Sequence, residues 1–239
     1  MSMATDIRNG FLKFFGDIKI FKFPFFLLYD PGSYLVKGKD IRRVIELIQP
    51  GDILLRGYKN YLDGYFIPGF FSHAGLYLGE TRKENSVIPE GAESEFYEGK
   101  QVVIHSMAEG VFMEDIINFC KCDYLIILRR STQIEKKEEI DRSFREVYLA
   151  ALSHLGAEYD FEFNFYDIHN LSCTELVYVC YKPFMERYNV KMKTRRVLLA
   201  TREMLIPDDF VTDKFTIAFK SESVSDSRIA NIIANNSQS

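Results

Sequence analysis

From Glu138 to Leu155, apolar Ile140, Phe144, Val147, Tyr148, Ala151 and Leu155 recur on one helical face, while Glu138, Asp141, Arg142 and Arg145 fill the other. This spacing predicts an amphipathic helix that ends at Gly156. In "CTELVYVCYKPF", Leu176, Val177, Cys180, Tyr181 and Phe184 mark a second helix face, which Pro183 ends or kinks. A shorter pattern, Ile41, Val44, Ile45 and Ile48, predicts a helix stopped by Pro50 and Gly51. Four short runs rich in β-branched or aromatic residues, "DILLR" (Asp52 to Arg56), "SHAGLYLG" (Ser72 to Gly79), "QVVIHS" (Gln101 to Ser106) and "DYLIILRR" (Asp123 to Arg130), predict a small antiparallel sheet. "KFTIAFKS" (Lys214 to Ser221) reads as a late strand. The glutamate-rich stretch Glu80 to Lys100 reads as an exposed excursion without chemistry, and the Ser/Asn-rich end from Glu222 as disordered.

Composition adds bounds to this α+β pattern. The chain has 239 residues, 47% of them hydrophobic, enough for one sizeable core. Its net charge of −4 comes from intermixed residues with no basic stripe, which argues against nucleic acid as a partner. Four cysteines (Cys120, Cys122, Cys173, Cys180), irregularly spaced and with no secretory leader before them, are expected as free thiols in a reducing compartment, so a cytoplasmic location is favoured over secretion. The apolar stretch Ile18 to Tyr29 is shorter than the roughly 20 residues of a spanning helix. With Lys19 and Lys22 among its phenylalanines it would suit peripheral membrane contact; packing as an arm on the core is the plainer expectation. The sequence is silent on oligomeric state.

Candidate chemistry centres on "LSCTEL". Ser172 followed three residues later by Glu175 is a capping box, which puts Cys173 at the first position of a helix, facing unpaired backbone N–H groups. A helix terminus contributes only about 0.3–2 kcal/mol toward a thiolate, and a nearby imidazolium would supply the rest. Alternation puts His73 on one strand face with Gly75, Tyr77 and Gly79, opposite Ala74, Leu76 and Leu78. His105, on a second strand, could hold His73 in one tautomer. His154 falls near a helix end, where a positive charge suits the dipole, and reads as structural; His169 is a weaker catalytic candidate. Taken singly, each histidine and cysteine is more often a packed residue than a catalyst. A zinc site built on Cys120, Cys122 and His105 is disfavoured, because one residue separates the cysteines where structural sites usually have about two to four. The "CKC" run reads instead as a turn at the solvent edge.

Together, "GDILLR", "SHAGLYLG", "VIHSMAEGV", "GAEYDFEF" and "SCTELVYVCY" resemble the permuted branch of the NlpC-type papain-like cysteine peptidase superfamily, the branch of YiiX-like proteins and lecithin:retinol acyltransferase, over roughly Gln49 to Phe184. In unpermuted members the cysteine helix precedes the histidine strands; here it follows them. The resemblance implies a circularly permuted papain-like α+β fold with the cysteine helix packed on a small antiparallel sheet. It divides the chain into an arm and helix (1–48), a catalytic domain (49–220) and a tail (221–239). It implies Cys173 as nucleophile, His73 as general base and His105 as third member. Glu109 and Glu175 are alternatives for that third role, and Tyr159 is implied near the oxyanion. The implied activity is cysteine-dependent hydrolysis of an amide or ester through an acyl-enzyme, on a small-molecule, peptide or lipid-like acyl substrate and without a cofactor or metal. Transfer of the acyl group to another acceptor, or a non-catalytic binding protein on the same fold, are the alternatives. The aromatic stretches "YFIPGFF" and "IKIFKFPFFLLY" would suit either a greasy acyl groove or the core.

Overall fold

Residues 19–22, 25–28, 34–59, 69–165, 169–197 and 200–237 are described by the computed structural model. Two short strands, β1 (Lys19–Lys22) and β2 (Phe25–Leu28), pair as a hairpin. The side chains of Ile18 to Tyr29, on which the membrane and acyl-groove expectations rest, lie outside the described residues, as do Tyr65 to Pro68 of the second aromatic stretch.

Helix α1 (Gly38–Leu47) is followed by strands β3 (Ile53–Gly57), β4 (His73–Thr81), β5 (Gly99–Met107) and β6 (Gly110–Asp115), a single turn α2 (Ile116–Phe119) and β7 (Tyr124–Arg129). Helices α3 (Lys137–Ser153) and α4 (Cys173–Met185) follow. A hairpin of β8 (Lys193–Val197) and β9 (Ala200–Met204), the strand β10 (Thr216–Lys220) and helix α5 (Asp226–Ser237) complete the order. The main sheet runs β10-β7-β3-β4-β5-β6, every neighbouring pair antiparallel.

Strand alternation divides the interior in two. Ile53, Leu55, Ala74, Leu76, Leu78, Val102 and Ile104 point to the face covered by α3 and α4, where they pack with Val147, Ala151, Cys173, Leu176 and Val177. Leu54, Tyr77, Val103, Leu125 and Ile127 point to the other face, under Val44 of α1 and Ile116 and Phe119 of α2. A sheet covered on both faces buries its central strands entirely, which is why "HAGLYLG" mixes apolar and small residues rather than alternating sharply with polar ones.

The structure departs from the sequence pattern in several places. The tail expected to be disordered contains α5, whose Ile229 and Ile232 join the main core, while Asn236 bonds the carbonyls of Asp208 and Val211. Two well-spaced isoleucines anchor a helix that its polar composition concealed. In the excursion Glu80 to Lys100, Ala92 and Phe96 are buried in the same core, so its middle is tied down. Cys120 and Cys122 are fully buried free thiols in the second core and not at a solvent edge. Pro183 lies inside α4, which continues to Met185. His154 caps α3 half-buried, and burial lowers its pKa, so it meets the helix's carbonyl end with its charged form disfavoured. Among the described residues no helix is long and apolar enough to cross a membrane.

Candidate active site

The start of α4 is fixed from four sides. The Ser172 N–H donates to Glu175 Oε2 (2.7 Å) and Ser172 Oγ accepts from the Glu175 N–H (3.4 Å), which is the predicted capping box. Thr174 Oγ1 donates to the Leu205 carbonyl at 3.0 Å, Ser106 Oγ on β5 donates to the Leu171 carbonyl at 2.5 Å, and the Leu171 N–H donates to the Glu158 carbonyl at 2.9 Å. These bonds hold Cys173 at the first residue of the helix, against the ends of β4 and β5. The β4–β5 register begins at Gly75↔His105, one residue past Ala74. The backbone N–H groups of Ala74 and Thr174 lie near enough to the Cys173 sulfur to favour its thiolate. The thiol therefore lies beside the residue that immediately follows His73.

The two histidines sit on the opposite face of the sheet, as alternation requires. His73 Nε2 and His105 Nδ1 are 2.8 Å apart, with the rings nearly perpendicular. His73 is the register partner of Arg56 on β3, and His105 that of Phe112 on β6. The Phe119 ring packs against both imidazoles, at centroid distances of 5.7 and 5.4 Å, and the Arg56 guanidinium lies 4.4 Å from the centre of that ring. Gly75 makes room for this arrangement, since a Cβ there would come within 2.6 Å of Phe119.

The electrostatics differ from the sequence expectation of a thiolate and an imidazolium. Burial pushes the Cys173 thiol up to about 11, against the smaller opposing effects of the Ala74 and Thr174 amides and of Arg56. Burial, then the Arg56 charge and then His105, hold His73 well below the usual imidazole range. His105 is lowered by burial, with contact to Glu114 opposing. Burial thus disfavours charge on the thiol and on both imidazoles, so Cys173 and His73 rest neutral. Glu175, two residues along α4, is raised to about 8 by burial, with nearby Asp160 adding to it, and its charge is a further effect that raises the Cys173 thiol.

Other predicted residues are placed as follows. Tyr159 is half-buried and packs on Phe161 at 4.8 Å between ring centres, in the segment that the Glu158↔Asn170 bridge ties to the lead-in of α4. His169 is exposed in that lead-in. Glu109 is exposed in the β5–β6 turn, and Glu175 is committed to the capping box, so neither approaches His73 through a hydrogen bond as His105 does. Sequence reasoning missed Arg56 and Glu114. Glu114 Oε1 lies 3.1 Å from His105 Nε2 and 3.8 Å from Arg56 Nη1. The signal was present: Met107↔Gly110 closes a two-residue hairpin, which sets Phe112 opposite His105 and Glu114 diagonal to it on the same face. Among the described residues no group of three or more His, Cys, Asp and Glu side chains is arranged to hold a metal ion.

No curated protein matches the chain in sequence. Among solved structures, that of "metalloprotein yiiX from Escherichia coli O157:H7" is similar at 15% identity and a TM-score of 0.48, over 73% of this chain and 98% of that one. The family model of the permuted papain-like amidase enzymes, YaeF/YiiX, C92 family, matches residues 47–224, and with about three quarters of its length so matched the chain belongs to that family of cysteine-peptidase-like amidases with a permuted papain-like fold.

Proposed function

We propose that the protein hydrolyses an amide or ester of a small-molecule, peptide or lipid-like acyl compound, with Cys173 as nucleophile, His73 as general base and acid, and His105 as the residue that orients His73. The observation that carries this reading is a thiol at a helix start beside Ala74, the residue that follows His73, together with a 2.8 Å contact joining His73 to a second histidine.

The chemistry begins from the neutral pair. As the sulfur attacks the acyl carbonyl, its proton passes to His73, the S–C bond forms and the carbonyl electrons move to oxygen. The backbone N–H of Cys173, at a helix start, and Tyr159 in the adjoining segment are the groups assigned to that developing charge. Collapse of the intermediate expels the amine or alcohol, which takes the proton from His73. Water, deprotonated by the same imidazole, then releases the acid and restores the thiol. Burial, which raises the thiol pKa, also strengthens the electrostatic contacts that the transition state makes.

A panel of amide and ester substrates, assayed with and without iodoacetamide, tests the reading. Hydrolysis is expected to disappear in step with carbamidomethylation of Cys173. The labelling rate of Cys173 without substrate is expected to climb with pH toward about 11, with no plateau near neutrality. Hydrolysis that survives complete labelling of Cys173 contradicts the reading.

A further inference from the structure

Four polar side chains cross the sheet in a row on the face away from α4: Arg56 on β3, His73 on β4, His105 on β5 and Glu114 on β6. Arg56 and both histidines are buried, and Glu114 is partly so. The row has a direction. Arg56 Nη1 donates to the Phe119 carbonyl (3.1 Å) and Nη2 to the Met107 sulfur (3.4 Å), which fixes its charge 3.8 Å from Glu114. Beside that cation Glu114 remains a carboxylate: burial would raise its pKa, but the contact with His105 and the charge of Arg56 bring the net shift downward. Glu114 Oε1 and His105 Nε2 stand 3.1 Å apart, off the line of a full hydrogen bond, and among the described residues Nε2 has no other partner. A small turn of the carboxylate aligns them, and an ionised carboxylate can only accept.

One proton assignment then follows for the whole row. If His105 carries its proton on Nε2, toward Glu114, its Nδ1 is an acceptor. The 2.8 Å contact with His73 then requires His73 Nε2 to be the donor. A neutral His73 protonated at Nε2 has its lone pair on Nδ1. With the opposite polarity, His105 would donate from Nδ1 to His73 Nε2, and the proton of His73 would sit on Nδ1, where it could not receive one from a thiol.

We propose that Glu114, held by Arg56, is a positioning residue that sets the tautomers of both histidines and so makes Nδ1 the basic nitrogen of His73. Its consequence for catalysis rests on the function proposed above; the tautomer assignment does not.

The test is long-range ¹H–¹⁵N correlation NMR of the full chain labelled with ¹⁵N-histidine, near neutral pH. With four histidines in the chain, His154→Gln and His169→Gln variants complete the assignment. Both His73 and His105 are expected as Nε2–H tautomers. Glu114→Leu, which removes the acceptor, is expected to mix the tautomers and to lower kcat at least about tenfold with little change in KM, toward the roughly 10⁴-fold loss that follows when a catalytic histidine takes the wrong tautomer. Glu114→Asp, keeping a carboxylate, is expected to retain Nε2–H and most of kcat. Protonation of His105 at Nδ1 in the unaltered protein overturns the proposal, whatever the variants do. A folded Glu114→Leu protein with unchanged tautomers also overturns it. Nε2–H tautomers in a protein whose Cys173→Ala variant stays active would overturn the function and leave the positioning role standing.

Discussion

Replacing Cys173 by alanine is expected to reduce turnover of a responsive amide or ester by about 10⁴-fold or more, the scale at which loss of a nucleophile is felt when the remaining site cannot substitute for it. The fold should survive. The side chain loses one buried sulfur, which costs about 1 kcal/mol, while the capping box of Ser172 and Glu175 and the Thr174 bond to Leu205 remain in place. The check is a pair of measurements on one preparation: kcat/KM by product formation, and the midpoint of urea denaturation by circular dichroism. Activity within tenfold of the unaltered protein would remove Cys173 from the mechanism. Cys180 offers an internal control, since it lies on the same helix, fully desolvated, with its thiol pushed up to about 12; Cys180→Ala is expected to leave turnover intact.

The second large effect concerns His73. His73→Ala is expected to lower kcat by about 10²–10⁴-fold, the usual contribution of a positioned general base. The pH profile distinguishes this from a structural defect. Without the imidazole the thiol must ionise by itself, and because burial raises it to about 11, residual activity should rise about tenfold per pH unit across the neutral and mildly alkaline range. With His73 present, a base that burial holds well below the usual imidazole range stays neutral and competent throughout that range, so the profile should be flat there. Removing His73 also leaves His105 Nδ1 without its partner, at about 1–3 kcal/mol. His73→Gln, which can still bond to His105, should recover most of that stability and none of the activity.

Much of this was readable before the fold. The capping box identified the start of the cysteine helix because its signal is local: two residues three apart satisfy each other's backbone groups whatever surrounds them. Alternation in "SHAGLYLG" correctly separated His73, Gly75 and Tyr77 from Ala74, Leu76 and Leu78, and strand order brought His105 next to His73. Ionisation was not readable. A helix terminus and a neighbouring histidine argue for a thiolate, but the opposing effect is desolvation, of the thiol by its packing in the core under α3 and α4 and of the histidines by Phe119, α1 and α2 closing the second face of the sheet, and those contacts are long-range. For the same reason Arg56 passed as an ordinary strand residue and Glu114 as an ordinary hairpin residue. Each acquires its role only through strand register, Arg56 opposite His73 and Glu114 diagonal to His105. Tail helix α5 escaped notice because two isoleucines in a Ser/Asn-rich segment give a weak pattern until a core is present to receive them.

The central claim is that Cys173 forms a covalent acyl intermediate. Mixing the protein with a slowly deacylating activated ester such as p-nitrophenyl acetate, quenching in acid and mapping peptides by mass spectrometry tests it directly. The account predicts one acetyl group on the peptide carrying Cys173, its formation matching the burst of nitrophenol, and neither signal in Cys173→Ala. Catalytic release of nitrophenol with Cys173 unmodified throughout, or an equal burst from Cys173→Ala, would contradict it.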